Sequence, residues 1–454
     1  SPDASKIAFM RDNNLYITDL TTWEETQFTE DGLYNHIING APDWVYEEEF
    51  GFAQGFFWSP DSKKIAYYKF DESKVREFEM EEFGGLYPDW YSFKYPKAGE
   101  DNSIVSVMVY NVESGKTIMM NTGEETDIYL PRMKWTNDAN ILAIQRLNRH
   151  QNHLEILAAN AETGETTVFY DEENPYYIDI TDDWEFLKDG KRFIMTSEKS
   201  GYNHIYICSL NGQECKPLTS GEWDVTKIYG FDGKEVYFQA AKNSPIERQI
   251  YAVNLKGQVR EIIGKEGTNN ARFNNNFKYL INTNSTVTQP YQYALYNNQG
   301  KIVRMLEDNH EFVEKMKEYN VSDKQLIKIN DPAFVLPDGT NVEIDGWQIL
   351  PPDFDPSKKY PVLIYVYGGP GHQTVMNQWG HSDWSWMQIL AQHGIISVSI
   401  NNRGSGAQGQ EFKKMTYLEL GKYETEDMIT LAKYMAKQPY VDAENIAIYG
   451  WSYG

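Results

Sequence analysis

The chain has 454 residues, long enough for at least two domains, and its 66 acidic against 42 basic residues give a net charge of −24. That balance argues against nucleic acid and anionic membrane surfaces as partners. No apolar run approaches the roughly 18–20 residues of a membrane span, and an aromatic content of 14%, led by 32 tyrosines, suits a β-rich body. The chain opens at Ser1 in mid-pattern, which reads as an interior piece of a longer protein.

One phrase recurs along the first three-quarters of the sequence. Ser1-Pro2-Asp3 leads to Lys6-Ile7-Ala8-Phe9, and Trp58-Ser59-Pro60-Asp61 leads to Lys64-Ile65-Ala66-Tyr67-Tyr68. Weaker copies run from Asp138 to Ile141-Leu142-Ala143-Ile144 and from Asp189-Gly190 to Arg192-Phe193-Ile194-Met195. Two more run from Asp232-Gly233 to Val236-Tyr237-Phe238 and from Asn274-Asn275-Asn276 to Tyr279-Leu280-Ile281. Each is a polar turn, a strand, a loop and a second strand such as Ile205-Tyr206-Ile207. Spacings of roughly 43 to 77 residues predict β-propeller blades carrying insertions, in preference to a sandwich of unrelated hairpins.

Between the first two copies lies Asp43-Trp44-Val45-Tyr46-Glu47-Glu48-Glu49-Phe50. Three consecutive glutamates on charge alone form a solvated face. Their aromatic neighbours predict instead a short helix fixed against the sheets, with acids converging on one target, where paired carboxylates hold an ammonium strongly. The longest insertion follows the second copy. It holds Tyr87-Pro88-Asp89-Trp90 and Tyr95-Pro96-Lys97-Ala98-Gly99, the composition of an ordered loop. Further on, Cys208 and Cys215 flank an Asn-Gly turn signal, so they either pair across a hairpin or remain two buried thiols.

The pattern changes near Asp331, and a domain boundary is placed between 325 and 326. Val342–Ile349 reads as a strand, and the apolar runs Pro361–Val366 and Ile395–Ile400 read as strands buried on both faces. Met428, Leu431, Ala432 and Met435 mark an amphipathic helix. Alternating strand and helix predicts a parallel sheet over 326–454.

The last strand, Ile446–Tyr449, runs into Gly450-Trp451-Ser452-Tyr453-Gly454, an instance of Gly-x-Ser-x-Gly. Placed directly after a strand, this is the nucleophile elbow of α/β-hydrolases, and Ser452 is the candidate nucleophile. Glycines are needed on both sides because a Cβ there would strike backbone. In that fold the triad acid and histidine base follow the serine, so both are expected beyond Gly454. Tyr367-Gly368-Gly369-Pro370, after a buried strand, sits where the second oxyanion donor belongs, the first being the N–H of Tyr453. The other reading of that segment is a Gly-Gly-Pro turn without catalytic meaning.

The glutamate segment, Tyr95–Gly99, Tyr367–Pro370, Asn402-Arg403-Gly404-Ser405-Gly406 and the elbow occur in that order over essentially the whole chain. Together they resemble the dipeptidyl peptidase IV group of the prolyl oligopeptidase family of serine peptidases. The resemblance implies an eight-bladed β-propeller, incomplete here with its N-terminal blades missing, over residues 1–325, and the first part of an α/β-hydrolase domain over 326–454. It implies release of Xaa-Pro or Xaa-Ala dipeptides from peptides with a free N-terminus. By the same resemblance Ser452 is the nucleophile, Tyr367 and Tyr453 form the oxyanion hole, and Glu48 and Glu49 bind the substrate amine. No cofactor and no metal are implied, and a homodimer that is secreted, periplasmic or at the cell surface is. Prolyl tripeptidyl peptidases and post-proline endopeptidases of the same family remain alternatives, as does a non-catalytic propeller that only binds partners.

Overall fold

All six copies of the repeated phrase are built on one side-chain-to-backbone turn. In the first, Ser5 N donates to Asp3 Oδ1, and in the second Lys63 N donates to Asp61 Oδ1. The same bond, two residues on, runs from Asn140 N to Asp138, Lys191 N to Asp189, Lys234 N to Asp232 and Lys278 N to Asn276, all at 2.8–3.1 Å. A short side-chain carbonyl that replaces a backbone acceptor tightens the chain into a reversal. The phrase recurs because the turn does.

The computed structural model describes residues 1–380 and 383–454. Among these, each phrase starts or continues a strand in its own antiparallel sheet, giving six successive sheets of three to five strands. The first comprises Lys6–Arg11, Asn14–Asp19 and Glu25–Gln27, and the last of the six runs in chain order from Thr268–Phe273 to Ile302–Glu307. Central strands such as Lys64–Asp71 and Gln249–Asn254 are almost wholly buried, so each sheet hides apolar residues on both faces and needs neighbours to cover it. The long insertion is a two-stranded hairpin, Glu77–Glu82 with Asp89–Lys94, rather than the loop expected from its prolines and glycines. Cross-strand aromatic pairing stabilises it, with Phe78 on Phe93 at 5.9 Å. Cys208 and Cys215 are disulfide-bonded across their turn, which resolves the two readings of their spacing.

The described chain divides into two compact units, Ser1–Phe193 with Cys208–Cys215, and Ile194–Ile207 with Lys216–Gly454. Unit one has an aromatic-rich core in which Tyr46, Tyr68 and Phe70 are nearly inaccessible. No described helix is long and apolar enough to cross a membrane.

Unit two ends in a five-stranded sheet ordered Lys324–Val335, Asn341–Ile349, Ile396–Ile400, Tyr360–Val366, Val441–Gly450. The last three run parallel, as predicted, and Ile396–Ile400 is buried along its whole length. Asn341–Ile349 runs antiparallel to both of its neighbours, so the sheet is mixed. The first of these pairings has a local reason: Asp338-Gly339 closes a tight reversal, with Gly339 N donating to Leu336 O at 2.9 Å and Leu336 N to Thr340 O at 2.9 Å. A connection that short can join only antiparallel strands. The segment after Tyr360–Val366 is stitched to the preceding sheets by Asn377, whose N donates to Ile246 O (2.8 Å) and whose Nδ2 donates to Glu247 (2.9 Å).

The helix Lys422–Ala436 covers this sheet. Met428, Leu431 and Met435 enter the core, as the periodicity predicts. Two residues of the same face are charged, Glu424 and Asp427. Asp427 is fully buried and accepts from Arg403 Nε (2.8 Å), Arg403 backbone N (2.7 Å) and Arg403 Nη2 (2.6 Å). Breaking a buried pair leaves an uncompensated charge, so Asp427→Asn is expected to lower stability by about 3–5 kcal/mol in chemical denaturation. A loss below about 1 kcal/mol would mean that Glu426 and the Val335 carbonyl already neutralise Arg403.

Candidate active site

Gly450 ends the last strand in register with Val366 of Tyr360–Val366. The next four residues fold back at once, with Gly454 N donating to Trp451 O at 3.0 Å. Ser452 is forced to φ 54°, a left-handed conformation that disfavours L-residues. Both glycines are sterically required. A Cβ on Gly450 would lie 2.1 Å from the Gly454 carbonyl oxygen, and one on Gly454 would lie 2.2 Å from that of Val366. The serine side chain is exposed at the tip of this turn.

Tyr367 directly follows Val366 and is therefore delivered to the same end of the sheet. Its ring lies 6.1 Å from that of Tyr453 and 4.4 Å from His372. Gly368, at φ 77°, turns the chain away from the strand. This turn is backed by the Asn402–Gly406 motif: Gly371 N donates to Gly404 O at 2.8 Å, and a Cβ on Gly406 would lie 2.4 Å from Gly371 O. The motif is held in turn by the Arg403–Asp427 pair and, further along, by Lys413 (2.5 Å) and Lys414 (2.6 Å) on Glu198. Ser452, Tyr367 and Tyr453 thus share one end of one sheet, and a recess of about 400 Å³ lined by Tyr367, Glu424 and Tyr453 lies beside them.

Glu48 and Glu49 belong to unit one. Trp44–Glu48 is a five-residue helix whose N-cap Asp43 accepts from Tyr46 N at 3.0 Å. Tyr46 plugs into the aromatic core, stacked obliquely on Phe50 at 5.0 Å, and its hydroxyl accepts from Leu130 N at 2.8 Å. Trp44 meets Tyr95 edge-on at 4.3 Å, so the Tyr95–Gly99 motif buttresses this helix. The expected short, aromatic-anchored helix is present. Glu48 and Glu49 project from it exposed, and no ion pair or hydrogen bond engages either carboxylate among the described residues.

A family model described as the dipeptidyl peptidase IV N-terminal region matches residues 1–291, and the prolyl oligopeptidase family matches residues 381–454. The chain belongs to the dipeptidyl peptidase IV group of this family. Its fold is similar to the crystal structure of Porphyromonas gingivalis dipeptidyl peptidase 4, with a TM-score of 0.93 and 38% identity over 100% of this chain and 64% of that one. Dipeptidyl peptidase 4 of Trichophyton equinum is 32% identical over 476 residues, covering 100% of this chain and 60% of its own length. The chain therefore spans about three-fifths of the curated relatives it matches.

Two buried carboxylates, one in each unit, were not anticipated from sequence. One is Glu424, in the first turn of Lys422–Ala436, which accepts the Tyr453 hydroxyl at 2.8 Å. A readable signal existed: Glu424 lies on the same helical stripe as Met428, Leu431 and Met435, where a carboxylate is out of place. The other is Glu72, 6% exposed and within electrostatic reach of the helix N-cap Asp43. Burial, reinforced by the Asp43 charge and opposed by Lys94, pushes its carboxyl up to about 7 from an ordinary 4.5. A raised carboxyl means that folding favours the protonated form. That contribution is complete below pH 4.5 and is lost as pH rises through about 7. Glu72→Gln should therefore raise the melting temperature by a few degrees at pH 8 and leave it unchanged at pH 4. An equal effect at both pH values would mean that the carboxylate is not ionising across this range.

Proposed function

We propose that the protein is a serine exopeptidase releasing Xaa-Pro and Xaa-Ala dipeptides from peptide N-termini through an acyl-enzyme on Ser452. The observation that carries the reading is the strained Ser452 turn, set at the end of a parallel strand beside Tyr367. The six antiparallel sheets fit successive blades of a β-propeller over residues 1–325, eight-bladed in the intact family, with an α/β-hydrolase domain from 326.

In this mechanism the Ser452 hydroxyl attacks the scissile carbonyl while a histidine base takes its proton. The carbonyl oxygen becomes an oxyanion facing the Tyr367 hydroxyl and the Tyr453 N–H. Donors already in place before charge develops lower the barrier, because no reorganisation is needed as the reaction proceeds. Glu48 and Glu49 receive the substrate ammonium. Their freedom from other partners among the described residues supports this role, since a carboxylate already paired could not offer a charge-assisted bond. A blocked N-terminus forfeits that bond, which makes the enzyme an exopeptidase.

The remaining family features follow as parts of the same proposal. The Glu77–Lys94 hairpin exposes Phe83 (83%), Leu86 (93%), Tyr87 (81%) and Trp90 (61%), an apolar arm suited to a homodimer contact. The Cys208–Cys215 disulfide supports a secreted, periplasmic or cell-surface location. The net charge of −24 is unsuited to nucleic acid, and the chemistry calls on no cofactor.

Two measurements on the full-length protein test this. Ser452→Ala should abolish hydrolysis of a Gly-Pro anilide, since loss of a triad nucleophile lowers kcat by around 10⁶. Substantial residual turnover would remove Ser452 from the nucleophile role. Separately, Glu48→Gln or Glu49→Gln should lower kcat/KM for dipeptide release by roughly 10–100-fold, the worth of a hydrogen bond to a charged group, while sparing a simple ester. Unchanged dipeptide release would leave the two glutamates as a solvated face, and release of tripeptides would reassign the specificity.

A further inference from the structure

Glu424 is 6% exposed, on the buried helix face that also carries Asp427, Met428, Leu431 and Met435. A carboxylate there is costly, and a methionine or leucine would fill the same space without desolvating a charge. Packing does not explain it. Two things stabilise the charge. Its place in the first turn of a fifteen-residue helix faces it with the positive end of the helix dipole, and one oxygen, Oε1, accepts the Tyr453 hydroxyl at 2.8 Å. The other, Oε2, is buried and has no hydrogen-bond partner among the described residues. The side-chain stem touches the turn after Tyr367: a Cβ on Gly368 would sit 3.4 Å from Glu424 Cγ. One side chain therefore contacts both segments that supply oxyanion donors.

Resting on the serine peptidase reading above, we propose that Glu424 is a positioning residue for the reaction. It fixes the Tyr453 ring through its hydroxyl, and with it the backbone N–H that faces the oxyanion, at a set distance from the Tyr367 turn. The phenol suits this task. Burial first, and then the neighbouring Glu424, push it up to about 12, so it remains a neutral donor throughout the working range. Glu424 itself touches no reacting atom. It acts by holding one donor in register with the other, and an ångström of misplacement in such a constellation can cost about 100-fold.

The test uses the full-length enzyme with Glu424→Ala, Glu424→Gln and Tyr453→Phe, and with Ser452→Ala and Tyr367→Phe as references. Each is assayed for kcat and KM on a Gly-Pro anilide, for inhibition by a dipeptide aldehyde, and for thermal melting. The aldehyde becomes an oxyanion-bearing adduct on the serine, whereas a product dipeptide does not. Glu424→Ala and Tyr453→Phe should each lower kcat by about 10–100-fold with KM within about twofold, and the double variant should be no worse than either. Aldehyde affinity should fall in step with kcat while product affinity holds. Glu424→Gln, which keeps an acceptor for the phenol, should recover most of the loss. If Glu424→Ala or Tyr453→Phe only lowers the melting temperature, with kcat and aldehyde affinity at wild-type values, Glu424 is a structural residue and the inference is overturned. If Glu424→Ala does not fold, Tyr453→Phe decides alone. If Ser452→Ala and Tyr367→Phe retain activity, the serine peptidase reading itself fails, whatever Glu424 does.

Discussion

The buried pair between Arg403 and Asp427 is the contact through which the end of the sheet that carries Tyr367 and Ser452 is assembled. Arg403 is 4% exposed and Asp427 0%, and the carboxylate takes both guanidinium and backbone donors from one residue. Two charges removed from water gain little net energy, but their geometry is strict. Asp427 thereby locks the Asn402–Gly406 segment to the helix Lys422–Ala436. The segment backs the Tyr367 turn, and the helix presents Glu424 to Tyr453 one turn earlier. A single ion pair thus sets the spacing between two loops that arrive from different strands.

Around this pair the sheet itself supplies rigidity and nothing reactive. Its middle strands are buried on both faces, so chemistry appears only where strands end. Val366 and Gly450 end side by side, and each is followed at once by a glycine-dependent reversal. That coincidence brings residues 85 positions apart, Tyr367 and Ser452, to a common edge. The strain at Ser452 is tolerated because the backbone of Gly450, Gly454 and Val366 leaves no roomier course.

Features encoded by consecutive residues were legible in the sequence. The six turns were, since an Asp or Asn bonding two residues ahead leaves its mark in the letters themselves. The elbow was, because φ above zero between two close backbone approaches restricts the flanking residues to glycine. The aromatic-anchored helix at Trp44–Glu48 was also readable, through the spacing of Trp44, Tyr46 and Phe50 around the acids. What escaped depended on distant partners. Arg403 and Asp427 are 24 residues apart, and Glu424 and Tyr453 are 29 apart. A charged residue on an apolar stripe reads as noise until its partner is in view. The antiparallel start of the last sheet was missed for a different reason: the Asp338-Gly339 reversal was overlooked in favour of the strand-helix alternation that follows it.

The Glu77–Lys94 hairpin has its own thermodynamic character. Two strands with no third beside them are marginal in water, and here the tip residues Phe83, Leu86 and Tyr87 have almost nothing to lean on. Beyond its base, where Tyr34 donates to the Ser92 carbonyl at 2.8 Å, such an element is expected at the low end of local stability. Backbone protection along the arm then reports how well its apolar tip is covered, while protection in the sheets reports folding of the cores.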